Sequence, residues 1–155
     1  FPIPRLDGSS EADAQTSRGA AVEKLNAYLD EAMADIGPEQ TVIIGFSQGT
    51  LMALHVMPRR SQAVAGVVGF SGWLLAPEKL AAEATARPPV LLVHGDEDQM
   101  VPLSSLSDAA DALVSDGFEV YTHVSKGTGH GIAPDGLGLA LQFIAQKLGV
   151  SLPAA

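Results

Sequence analysis

The sequence predicts an α/β protein, with a mostly parallel sheet and helices on both faces. Three features predict it. Short apolar runs at 41–45, 63–70, 90–94 and 118–124 alternate with segments of helical periodicity, and strands that alternate with helices wind into a parallel sheet by right-handed crossovers. The first three runs are apolar almost throughout, as in strands covered on both faces. The chain of 155 residues, 46% hydrophobic and 17% charged, suits one domain spanning 1–155 and can bury roughly 68–70% of its unfolded surface.

Residues 1–14 carry Pro2, Pro4, Gly8, Ser9 and Ser10 and read as loop. Residues 16–36 place Val22, Leu25, Leu29, Met33 and Ile36 at helical spacing, with Gly37-Pro38 as the stop. The run 41–45 (TVIIG) is a short β-branched strand. Residues 48–57 are apolar nearly all round and end before Pro58, which predicts a buried helix. The runs 63–70 (AVAGVVGF) and 90–94 (VLLVH) are the next strands. Residues 104–116 form an amphipathic helix through Leu106, Ala109, Ala110 and Leu113, with serine at its start and Gly117 behind it. Residues 118–124 (FEVYTHV) alternate, as in a strand with one polar face, and 136–148 give a last helix before Gly149. The alanine-rich 81–86 (AAEATA) is the only biased stretch. The 41–45 strand is too apolar for a sheet edge, which natural proteins protect. It reads as central, with its missing neighbour expected ahead of residue 1.

A formal net charge of −9 argues against nucleic acid or an anionic membrane as the main partner. No apolar stretch reaches the ~18 residues of a membrane span, so stable membrane insertion is not expected. The chain has no cysteine. That excludes a disulfide framework, a thiolate zinc site and a cysteine nucleophile, and it fits reducing and oxidising compartments alike. Phe1-Pro2-Ile3-Pro4 is not a charged region followed by an apolar run, and the expected location is cytoplasmic. Oligomeric state is left open, a homo-oligomer included.

The segment that carries chemistry is Gly45-Phe46-Ser47-Gln48-Gly49. It fits G-x-S-x-G, in which a strained strand-to-helix turn exposes a serine hydroxyl. Flanking side chains are expected to collide there, which favours glycine on both sides. The N–H of Gln48, at the start of the following helix, can face a developing oxyanion. A serine needs a base to become a nucleophile. Of four histidines, His55 lies inside the helix after the turn, His94 ends an apolar strand, and His123 lies on a polar strand face. His130 sits in Gly127-Thr128-Gly129-His130-Gly131 beyond the last strand, where a loop can deliver its ring. The chain order of such triads is serine, acid, histidine, and His130 is last. The acid belongs in His94-Gly95-Asp96-Glu97-Asp98-Gln99-Met100-Val101-Pro102. Asp96 follows the strand closely and suits a turn-forming role. Asp98 lies further out, and spacing favours it without excluding Asp96. Its task would be to fix the histidine tautomer.

Taken together and in order, these segments, with Phe70-Ser71-Gly72-Trp73-Leu74, resemble the α/β-hydrolase superfamily. Within it they resemble the phospholipase/carboxylesterase family, which includes acyl-protein thioesterases. The resemblance implies an α/β-hydrolase fold, with 41–148 as its catalytic part. It implies a serine esterase that forms an acyl-enzyme on a small-molecule ester, thioester or lysophospholipid, with Ser47 as nucleophile, Asp98 as acid and His130 as base. It also implies that Trp73 and Leu74, in the loop after the second strand, lie near the acyl pocket, with Met100 and Val101 lining the same side. No cofactor and no metal are expected.

Family members open with several strands and a glycine-rich loop that supplies a second oxyanion donor, and nothing of that kind precedes residue 41. The chain is therefore expected to be the C-terminal portion of the fold, with an N-terminal segment of the same polypeptide as its complement. Two rival readings remain: a non-catalytic hydrolase-fold protein lacking half of its oxyanion hole, and a serine peptidase of the prolyl-oligopeptidase type. The small size and the GFSQG and SGWL segments argue against the second.

Overall fold

The computed structural model describes residues 11–151. The loop expected at 1–14 lies outside the described residues up to residue 10. Its last part is already helical, because α1 spans Glu11–Ala32. This helix stops short of the predicted end at 36. The Ala34 amide donates to Glu31 O at 3.3 Å, a tightened last turn of the kind that closes helices, and the chain then bends toward Gly37-Pro38. The contacts divide the chain into two units, Phe1–Gly37 and Pro38–Ala155. The second unit carries the sheet.

That sheet has four parallel strands in the order β1-β2-β3-β4: β1 Val42–Phe46, β2 Gly66–Phe70, β3 Val90–Gly95 and β4 Val120–Ser125. Its helices are α2 (Gln48–Val56), a short α3 (Leu80–Glu83), α4 (Ser104–Ser115) and α5 (Pro134–Leu148). β2 and β3 are buried at every position, as their unbroken apolar sequence predicts. On one face Val68, Phe70, Leu91 and Val93 pack with Ala140 and Phe143 of α5. On the other face, Gly69, Leu92 and His94 meet Thr50 and Leu54 of α2 and Leu106 and Ala109 of α4.

Several boundaries differ from expectation for local reasons. The run 63–70 becomes strand only at Gly66, because the Ala65 amide is spent on Pro38 O and Thr41 O. Phe118 precedes β4, and its amide closes α4 on Leu113 O at 3.0 Å. Part of the alanine-rich stretch is α3. Serine does not cap α4. Leu103 holds that position without a side-chain bond, and the Pro102 and Leu103 carbonyls accept from the Ser105 and Leu106 amides instead. α5 begins at Pro134, two residues early, with proline in its first turn and Gly149 left-handed after its end.

The first strand is expected to be central, with its other neighbour ahead of residue 1, and nothing pairs with its outer side among the described residues. β1 lies at one edge of the sheet, with Ile44 57% and Phe46 40% exposed. Two large apolar side chains on a strand with one open side form a surface that usually finds a cover.

Candidate active site

Ser47 follows the last residue of β1 and precedes the first of α2. Its φ is +55°, in the left-handed region, so the turn carries backbone strain of order 1–3 kcal/mol. The turn is held by the Ser47 amide donating to Phe70 O at 2.8 Å and by the Thr50 hydroxyl donating to the same carbonyl at 2.8 Å. The two flanking glycines are not equivalent. A Cβ on Gly45 would lie 2.6 Å from the Gly49 carbonyl and the Thr50 amide nitrogen, whereas a Cβ on Gly49 meets nothing within 4 Å. The expected collision therefore applies to Gly45 and not to Gly49. Gln48 is the first residue of α2, and the first-turn amides of a helix have no intrahelical acceptor.

Asp98 and His130 lie in the loops after β3 and β4, at the carboxyl ends of the strands, where parallel sheets build sites. His130 Nε2 is 2.9 Å from Ser47 Oγ, and His130 Nδ1 is 2.8 Å from Asp98 Oδ2. A carboxylate only accepts, so Nδ1 carries the ring proton and Nε2 is free to accept from the serine hydroxyl. The side chain of Asp98 is fully buried and that of His130 is 21% exposed. Burial alone would raise the Asp98 pKa. It is outweighed by the Val101 and Met100 amides donating to Oδ1 at 2.8 and 2.9 Å and by His130, which together hold the carboxyl below the usual range. Asp98 is thus kept ionised beside the imidazole.

The loops that carry Asp98 and His130 are joined to each other. Asp96 Oδ1 accepts from the Gly127 amide at 2.8 Å, and the Glu97 amide donates to Thr128 O at 2.9 Å. Gly95 sits beneath this junction, and a Cβ there would run into the Thr128 and Gly129 carbonyls. Asp96 therefore anchors the histidine loop, and Asp98 faces the ring. Ser71, buried and with φ +54°, donates its hydroxyl to Gly131 O at 3.3 Å, next to His130.

Trp73 and Leu74 line a cleft with Pro77, Ser105, Asp108 and Ala109. Met100 is 55% exposed beside Asp98, and Val101 is 6% exposed under the acid loop, where its amide serves Asp98. The Val101 amide donates to Asp98 Oδ1 at 2.8 Å. Three contacts went unread in the sequence. Phe46 holds its ring 5.0 Å from that of His130. His94 Nε2 is 2.9 Å from Val101 O. Ser71 reaches the base loop. Phe46 is the variable position of G-x-S-x-G, and only the parity of β1 hinted at its direction. Among the described residues, no cluster of three or more metal-ligating side chains occurs, and no helix is long and apolar enough to cross a membrane.

A parallel sheet with helices on both faces and a serine at a strained strand-to-helix turn define an α/β-hydrolase. The chain belongs to the phospholipase/carboxylesterase family, whose model matches residues 1–148. It is 31% identical over 158 residues to acyl-protein thioesterase 1 of Gibberella zeae, a match covering 96% of this chain and 67% of that protein. It is 31% identical over 154 residues to a probable carboxylesterase of Oryza sativa, covering 96% of this chain and 57% of that one. Among solved structures, esterase PE8 superposes with a TM-score of 0.87 at 38% identity, covering 96% of this chain and 69% of that one. SOBER1 of Arabidopsis thaliana gives a TM-score of 0.79 at 25% identity, covering 86% of this chain and 66% of that one. The chain thus spans 57% to 67% of the length of these two curated relatives.

Proposed function

We propose that this chain carries the catalytic serine, acid and base of a cytoplasmic carboxylesterase. The observation that carries the reading is the continuous path from Ser47 Oγ through the His130 ring to Asp98, at 2.9 and 2.8 Å. His130 Nε2 takes the hydroxyl proton as Ser47 attacks an ester carbonyl. The oxyanion is held by the Gln48 N–H. Collapse expels the alcohol or thiol, which leaves with the proton from His130. Water, deprotonated by the same ring, then attacks the acyl-enzyme and frees Ser47. Asp98 keeps the ring in the tautomer this needs.

The second oxyanion donor belongs, in this reading, to a segment that also covers the open edge of β1. The exposure of Ile44 and Phe46 supports such a neighbour. One missing donor typically costs ~10²–10³ in kcat, so turnover is to be measured on the full-length protein. The names of the relatives favour esters and acyl thioesters as the substrate class, and Trp73 and Leu74 are proposed as part of the acyl or leaving-group side.

The test is labelling with a fluorophosphonate and turnover of a chain-length series of p-nitrophenyl esters, an acyl thioester and a lysophospholipid. A Ser47 adduct is expected, with hydrolysis abolished in Ser47→Ala. No adduct, or undiminished turnover in Ser47→Ala, defeats the proposal. Hydrolysis of peptide bonds in preference to esters would favour the peptidase.

A further inference from the structure

We propose that His94 is a positioning residue for the Ser47–His130–Asp98 path, acting on Asp98 through Val101; this inference rests on the esterase reading. His94 is the next-to-last residue of β3 and is 2% exposed. It lies on the sheet face covered by α2 and α4, among Leu54, Leu106 and Ala109. Burying an imidazole there is unfavourable unless its polar atoms are matched. Its Nε2 is 2.9 Å from Val101 O. A carbonyl oxygen only accepts, so Nε2 carries the proton and His94 is the donor.

Val101 is the link. Its carbonyl is fixed by His94, and its own amide donates to Asp98 Oδ1 at 2.8 Å. Holding Val101 therefore holds one oxygen of the acid, which leaves Oδ2 directed at His130 Nδ1 at 2.8 Å. His94 Nε2 is also 3.5 Å from Asp98 Oδ2. That is beyond hydrogen-bond length, and the Nε2 proton is already given to Val101. The influence of His94 on the acid thus runs through the backbone of the loop. The path is short and fully enclosed: the side chains of His94 and Asp98 are 1% and 0% exposed. The Met100 amide and the bonds of Asp96 and Glu97 to the histidine loop also hold this segment, so loss of His94 frees Val101 and loosens one of the two amides on Oδ1. Displacement of about 1 Å in such a constellation can cost ~10² in rate.

Three variants of the full-length protein separate this from simple packing. His94→Leu fills the space without a donor. His94→Gln places an N–H near the Nε2 position. His94→Asn carries the same amide one methylene short. Turnover of a short p-nitrophenyl ester is measured beside the downfield proton resonance of the His130 Nδ1–H shared with Asp98. His94→Leu and His94→Asn are expected to lower kcat roughly 10- to 100-fold with little change in KM and to lose that resonance. His94→Gln is expected to restore both. Folded His94→Leu with wild-type kcat and resonance overturns the proposal. So does equal behaviour of the Gln and Asn variants, which also decides the matter if His94→Leu does not fold. The resonance is read without substrate. A wild-type protein that shows it, loses it in His94→Asn and hydrolyses no ester would defeat the esterase reading and leave the positioning role standing.

Discussion

The unequal glycines of the serine turn give the sharpest prediction. Gly45→Ala puts a Cβ 2.6 Å from the Gly49 carbonyl and the Thr50 nitrogen, where ordinary contacts begin near 3.4 Å. Both neighbours are backbone of the first turn of α2, so no rotamer change can relieve the clash. The start of the helix must retreat by about 0.8 Å, taking Ser47 and Gln48 with it. Overpacking of this kind costs about 1–3 kcal/mol, or a fall in Tm of about 2–12 °C for a domain of this size. A nucleophile displaced by nearly 1 Å from His130 is expected to lose roughly 100-fold in kcat. Gly49→Ala is the control. Its Cβ meets nothing within 4 Å, and alanine in a helix is favoured over glycine by about 0.5–1 kcal/mol. It is therefore expected to keep its turnover and to raise Tm. Thermal unfolding and kcat on a short p-nitrophenyl ester, measured for both variants, make the comparison. Gly45→Ala with wild-type Tm and kcat, or equal losses in the two variants, would refute the steric account of the turn.

The two aspartates of the acid loop are expected to separate cleanly. Asp98→Asn keeps the shape but presents the wrong group to His130 Nδ1, and kcat should fall by roughly 10⁴; a loss below tenfold counts against Asp98 as the acid. Its folded pKa is depressed, so its stabilising contribution is present above the unfolded value near about 3.9 and is lost as pH falls through the folded one. Denaturant unfolding of wild type and Asp98→Asn should accordingly differ by a constant amount above about pH 5, with the gap closing below about pH 4. Asp96→Ala removes the anchor of the Gly127 amide and is expected to cost about 0.5–1.5 kcal/mol in unfolding free energy. Its kcat should fall far less than that of Asp98→Asn, and the reverse order would exchange their roles.

Much of the scaffold was legible because its signals are local. Val67, Val68 and Leu91 lie in runs without polar interruption, and a strand buried on both faces requires that. The ends were harder. Ala65 looks as strand-like as Val67, but its amide is taken by the Pro38 and Thr41 carbonyls, partners 27 and 24 residues away. Nothing within the run shows this. The α4 cap misled for a similar reason: Ser104 is a good capping residue, yet proline and leucine carbonyls ahead of it take the first amides.

Within the site, chain order and strand ends pointed to Ser47 and His130 and left both Asp98 and Asp96 open as the acid, and the family resemblance chose Asp98. Neither could reveal how the loops stay in register. Asp96 meets Gly127 across 31 residues, and Ser71 meets Gly131 across 60. Histidine at position 94 was read as the end of an apolar strand, since a buried imidazole leaves the same pattern whether it merely packs or donates. These supports share one physical property. The described polar residues buried in this unit, Thr50, Ser71, His94 and Ser125, all lie at or just beyond the carboxyl ends of strands. Each gives its hydrogen bond to a strand end, a loop or the start of a helix: Phe70 O, Gly131 O, Val101 O and Asp135 Oδ2. A buried polar group is tolerated only when matched. Here the matching partners are the segments around the serine, acid and base, so the same bonds that satisfy the core also hold the site.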